Sequence, residues 1–123
     1  MKTSKAAKTE ILKRLFATFK QQDREVAEQL LAEHFTFTSP YDDAIDRAAY
    51  FDRCWPNAGL LKEQSIERIL VEGDAAYVTY LAGTHEGTTF RNTELFTFAG
   101  DKIASVEVFF GVVWHHGVFA RMH

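Results

Sequence analysis

Only one cysteine, Cys54, and only two prolines, Pro40 and Pro56, occur in the 123 residues. A single thiol excludes an intrachain disulfide, so the fold has to be held by its core. No apolar run approaches the ~20 residues that span a bilayer as a helix. The N-terminal MKTSKAAKTE lacks the apolar segment that directs secretion. The cytoplasm is therefore the expected compartment, and no membrane is expected as a partner. Basic residues are not in excess either. Fourteen Lys and Arg stand against 17 Asp and Glu, a net charge of -3, and no basic stripe marks the long hairpins, which argues against a nucleic-acid partner. A Gly-rich phosphate loop, a CxxC pair, HExxH and GxSxG are all missing. No cofactor and no metal centre are expected. With no repeat, low-complexity run or linker, residues 1–123 read as one domain.

Aromatic bulk is what the chain has in quantity: 14% of residues, 11 of them Phe. That exceeds what a plain structural domain of this size needs, and a lined pocket or a buried subunit interface would use it.

Ile11, Leu12, Leu15, Phe16 and Phe19 recur at spacings of three and four, which predicts an amphipathic helix over Ser4 to Gln22. Asp23 is placed to cap a second helix, with Val26, Leu30 and Leu31 on one face, ending near His34. Phe35 to Thr38 alternates as a short strand and stops at Ser39-Pro40. Tyr41, Asp42 and Asp43 read as a loop, and Asp46 as the cap of a third helix that Pro56 ends. Strands are expected over Gln64 to Glu72, Ala75 to Thr84, Thr88 to Phe98 and Lys102 to Phe110. Three helices and one short strand followed by four consecutive antiparallel strands give an α+β class, the helices covering one face of a curved sheet.

Facing follows from turn length. A two-residue turn at Glu86-Gly87 would pair Glu94 with Thr79, Phe96 with Tyr77 and Asn92 with Leu81. On the last strand the even set Ala104, Val106, Val108 and Phe110 is apolar and should face the helices, which requires a bulge or a three-residue loop at Gly100. Glu94 then lies inside, among Thr79, Phe96, Val106, Val108 and Phe110. A carboxylate there is costly unless hydrogen-bonded or paired, and desolvation would raise its pKa toward the range useful for proton transfer. Neutralisation by Arg91, Arg68 or a histidine is the structural alternative.

The order of elements, and the run GTTFRNTELFTFAGDKIASVEVFFG at residues 87–111 in particular, resembles the SnoaL-like branch of the nuclear-transport-factor-2-like superfamily, which includes polyketide cyclases and ketosteroid isomerases. The resemblance implies a cone: a curved antiparallel sheet wrapped around the helices, with an open apolar cavity, commonly in a homodimer. It also implies a test of activity residue by residue. Where ketosteroid isomerases carry a basic Asp before Pro, this chain has Ser39 before Pro40; where they carry a helix-one Tyr, it has Leu15. Glu94 matches their protonated acid. Steroid isomerisation by that mechanism is therefore not expected, and the fold alone does not fix an activity.

Two classes of function follow. One is a cofactor-free isomerase, cyclase or hydrolase-like enzyme with Glu94, and Asp42 as a displaced base, acting on an apolar cyclic molecule. Its walls would be Tyr41, Trp55, Tyr77, Thr79, Phe96, Val108 and Phe110. The other is a non-catalytic ligand-binding or dimerisation domain. Asp42 also fits a solvated turn, His34 a helix end, Cys54 an inert buried thiol, and Tyr50 with Trp55 core or lid packing. His85 is placed at the pocket mouth, and the adjacent His115 and His116 point to opposite faces. A homodimer is expected through an outer patch of Val78, Tyr80, Phe109 and Val113 around Glu107, unless the tail with Trp114 and Phe119 covers it.

Overall fold

The computed structural model of the chain describes residues 3–122. Helix α1, Lys5–Gln21, begins where the Ser4 hydroxyl accepts from the Ala7 amide and ends where Gln22 turns left-handed at φ 57°. Its buried stripe is Leu12, Leu15 and Phe16. Asp23 caps α2, Arg24–Leu30, through the Val26 amide. The second helix thus stops short of His34, and the chain passes directly into β1, Leu31–Ser39, because Leu31 pairs with Ile103 on a distant strand. His34 lies on that strand, exposed, and not at a helix end.

Asp42–Asp46, read as loop and cap, forms β2 against β1. Asp46 then caps α3, Arg47–Arg53, by accepting from the Ala49 amide at 2.9 Å, and Pro56 opens a 3-10 helix over Trp55–Leu60. The remaining strands are β3 Leu61–Glu72, β4 Ala75–Thr84, β5 Thr88–Ala99, β6 Lys102–His115 and β7 Val118–Met122. Their order is β2-β1-β6-β5-β4-β3, with β7 also on β6. Since β1 runs parallel to β6, the sheet is mixed and not purely antiparallel. β7 prolongs the sheet edge instead of folding over its outer face. The architecture is nevertheless the expected α+β cone: three helices and a curved, unclosed sheet.

Bulges supply the curvature. β5 and β6 slip register between Thr97 and Phe98, where the extra residue is Ala104 and not, as expected, at Gly100, which stays in a two-residue turn between paired Ala99 and Lys102; they slip again between Phe90 and Asn92. At the second slip Gly111 passes so close to the Arg91 carbonyl that a Cβ built on it would lie 2.2 Å from that oxygen. The sheet bends there and wraps α1, whose Phe16 packs edge-on to Tyr80 at 5.2 Å and tilted against Phe96 at 6.0 Å. Lys8, although charged, is buried, and reaches the Gly73 carbonyl at 2.5 Å and Asp74 at 3.3 Å, which pins α1 under the β3–β4 turn.

One turn decides which side chains look inward. β4 and β5 are joined by three residues, His85, Glu86 and Gly87, with Gly87 at φ 86° and its amide on the Thr84 carbonyl. Compared with a two-residue turn, this shifts the pairing by one and flips every β4 side chain to the other face. Glu94 lies opposite Val78, Phe96 opposite Ala76 and Asn92 opposite Tyr80. Val78 and Tyr80, expected on the outside, are 0% and 6% exposed. Tyr77 and Thr79, expected in the pocket, lie on the convex face, where Tyr77 is 48% exposed and the Thr79 and Thr93 hydroxyls meet at 2.7 Å.

Candidate functional site

Between the concave face and the helices lies a cavity of about 450 Å³. Leu15, Phe16 and Phe19 of α1 wall one side, and Phe37, Phe90, Val108 and Phe110 of the sheet the other. Tyr50 and Cys54 project from the α3 region, and Ser39, Tyr41 and Asp42 form the mouth beside Leu60 of the 3-10 helix. Into this mostly apolar space the floor sets three polar side chains: Tyr80, Asn92 and Glu94.

The three are linked in series. The Asn92 side-chain amide donates to the Tyr80 hydroxyl at 3.2 Å, and that hydroxyl donates to Glu94 Oε2 at 2.6 Å. Burial disfavours the charged carboxylate and raises Glu94 from its ordinary 4.5 to about 7, with the Tyr80 hydrogen bond opposing part of the rise. The phenols of Tyr80 and Tyr50 are both pushed up, first by their own burial and then by the Glu94 charge. They remain neutral donors across the physiological range. Neither arginine offered as a neutraliser reaches Glu94. Arg91 pairs with Glu67 at 2.7 Å on the far side of the sheet, and Arg68 lies opposite convex Thr79.

Asp42 lines the mouth, but its carboxylate is occupied. Arg53 contacts it at 2.7 Å, the Ser39 hydroxyl donates to it at 3.1 Å, and the Cys54 thiol lies 3.8 Å away. Burial and this carboxylate hold the Cys54 thiol at about 11, against an ordinary 9.0. Of the residues singled out in the sequence, the fold brings together Glu94, Asp42, Tyr41, Val108 and Phe110 around the cavity. Phe96 is fully buried behind the floor, and Trp55 packs edge-on to Phe19 at 5.4 Å in the core, neither of them facing the cavity. Tyr77 and Thr79 are on the opposite face of the sheet, and His85 sits exposed in the β4–β5 loop. Tyr80 escaped the sequence reading because its facing depends on the turn length, whereas Asn92, two residues before Glu94 on β5, shares the face of that acid and was passed over as a site residue. A Gly at the third position of His85-Glu86-Gly87 was the signal for the longer loop. Among the described residues, no group of three His, Cys, Asp or Glu side chains is placed to hold a metal ion, and no helix is long and apolar enough to cross a membrane.

Solved structures with the same fold are numerous. An NTF2-like protein of unknown function from Cytophaga hutchinsonii is 20% identical, with 89% of this chain and 94% of that one covered at a TM-score of 0.72. A protein from Jannaschia sp. CCS1, provisionally named a SnoaL-like polyketide cyclase, is 21% identical over 89% and 90% of the two chains at 0.73. One from Kribbella flavida, provisionally named a ketosteroid isomerase, is 17% identical over 85% and 78% at 0.74. At such identities the likeness establishes the fold alone. A comparison with curated proteins found no match. The sequence profile of the SnoaL-like domain matches residues 12–106, and the chain belongs to that family.

Proposed function

We propose that the protein takes a small, largely apolar cyclic molecule into the cone and moves a proton on it with Glu94, as a cofactor-free isomerase, cyclase or hydrolase-like enzyme. The observation that carries this reading is a carboxyl group at the floor of an apolar cavity with its pKa raised to about 7. Near neutral pH such a group is present in both forms, so it can take a proton from an acidic carbon and return it elsewhere without a large free-energy penalty in either direction. Tyr80 fixes Oε2 and thereby the plane of the carboxylate. Tyr50, close enough to feel the Glu94 charge, is a neutral phenol available to a developing oxyanion. A phenol from α3 thus stands in for the one that Leu15 cannot supply. Asp42 serves at the mouth, held by Arg53, and is the weaker candidate for a base.

A non-catalytic pocket is the second reading, favoured by the engagement of Asp42 with three partners, which leaves Glu94 without a second free acid. Mass spectrometry of compounds that co-purify with the native protein identifies the ligand. Glu94→Gln should then abolish turnover of that compound; turnover by that variant at the wild-type rate would refute the catalytic assignment.

The same proposal includes a homodimer, through a convex patch different from the one expected. Leu70, Tyr77 and Leu95 form a row across β3, β4 and β5, and Phe109 of β6 lies one pair further along. Leu70, Tyr77 and Phe109 are 59%, 48% and 46% exposed, more than scattered apolar residues usually leave in one place.

A further inference from the structure

The charges around the cavity are one-sided. Its lining includes two carboxyl groups, Glu94 and Asp42, and among the described residues no Lys, Arg or His. Arg53, which reaches the mouth through Asp42, is engaged with that carboxylate at 2.7 Å. Hydrogen-bonding capacity on the floor has the same sign. The single Tyr80 proton is directed at Glu94, so Asn92 has to turn its amide NH₂ toward Tyr80, and its Oδ1 is left buried with no partner. A carboxylate and an orphan amide oxygen therefore stand side by side, and together they make the floor negative. Around them are the rings of Phe16, Phe19, Phe37, Tyr50, Phe90 and Phe110, whose faces attract cations.

We infer that the pocket is built for a lipophilic amine: an aromatic or alicyclic body carrying one protonated nitrogen, which enters with the nitrogen toward Glu94 and Asn92. This rests on the reading of the cavity as a small-molecule site and adds the class of molecule. An anion finds no counter-charge in the lining and meets two carboxyl groups. A neutral molecule of the same shape gains the apolar contact but neither the ion pair nor the ring faces. The ammonium supplies donors to the carboxylate and, after a small rotation of the Asn92 side chain, to its unpaired oxygen.

The titratable groups around Glu94 are few, which makes its protonation readable. Tyr80 of β4 and Tyr50 of α3 face it, while α1 and β6 contribute only apolar side chains to the lining. Cys54, Asp42 and Arg53 lie at the mouth.

Three probes of one shape test the inference by isothermal titration calorimetry: adamantylamine, adamantanol and adamantane carboxylate. At about pH 8, where Glu94 is ionised, the amine should bind at least about tenfold more tightly than the alcohol, with the carboxylate weakest. Its advantage should shrink as the pH is lowered through about 7. Glu94→Gln should erase the preference for the amine and leave the alcohol's affinity nearly unchanged. Equal binding of amine and alcohol at pH 8, or strongest binding of the carboxylate, overturns the amine assignment and leaves the small-molecule pocket standing. Failure of all three shape-matched probes to bind overturns the pocket reading and the amine with it.

Discussion

Tyr80 and Glu94 are diagonal neighbours on adjacent strands of the concave face, joined by a 2.6 Å hydrogen bond in which the phenol donates to the carboxylate. The bond favours the ionised acid and so opposes the burial that raises its pKa. Tyr80→Phe removes that opposition while keeping the ring against Phe16. The expected result is a Glu94 carboxyl that titrates above about 7 in a carbon-detected NMR titration, with a stability cost of about 1 kcal/mol from the lost bond. An unchanged or lower pKa would show that the hydroxyl does not govern the acid.

Stability should depend on pH through the same group. Because the folded-state pKa is raised above the ordinary 4.5, the native protein holds a proton that the unfolded chain releases between about pH 4.5 and 7. The contribution of Glu94 is thus fully present below about 4.5 and is lost as pH rises through about 7, a total of roughly 3 kcal/mol at most. Glu94→Gln should remove this dependence, making the variant more stable than the wild type at about pH 8 in urea denaturation and closest to it at about pH 5. A variant less stable at pH 8 would contradict the raised pKa.

The register of β4 is checked by a pair of neighbouring substitutions. Val78 is fully buried and Thr79 faces the convex side, so Val78→Asp should prevent folding whereas Thr79→Asp should leave a folded protein. Circular dichroism distinguishes the two outcomes. Were the turn two residues long, the pattern would be reversed.

Light scattering at micromolar concentration tests the convex patch. The wild type should have twice the 14.0 kDa mass of one chain, and Tyr77→Lys together with Phe109→Lys should return it to a single chain. A wild-type mass near 14.0 kDa would remove the dimer.

Local signals in the sequence translated well. Asp23 and Asp46 cap helices because capping depends only on a side chain and an amide three residues later. The inward face of β6 was legible from Val106, Val108 and Phe110, and with it the position of Glu94, although the bulge before them puts Ile103 and not Ala104 in the core. β4 gave no such guidance. Ala75, Tyr77 and Leu81 alternate with Ala76, Val78, Tyr80 and Ala82, two sets of similar hydropathy, so a single residue in the turn decided between them. That is why Thr79 and Tyr77 were placed in the pocket and Tyr80 on the outside. β2 and β7, five residues each, exist because β1 and β6 offer them edges, and no local pattern encodes that.

Gly111 has a bearing on how such a pocket can change its contents. The bend that encloses the cavity depends on two main chains touching where β6 passes the Arg91 carbonyl, a contact with no room for even a methyl group. The size of the chamber is therefore a property of the backbone, and its chemistry a property of the side chains around it. Phe37, Phe90 or Gln64 can be exchanged to alter what the chamber accepts while its dimensions persist, as panels are changed on a frame. Any side chain at Gly111 alters the frame itself, and with it the fit of every occupant at once.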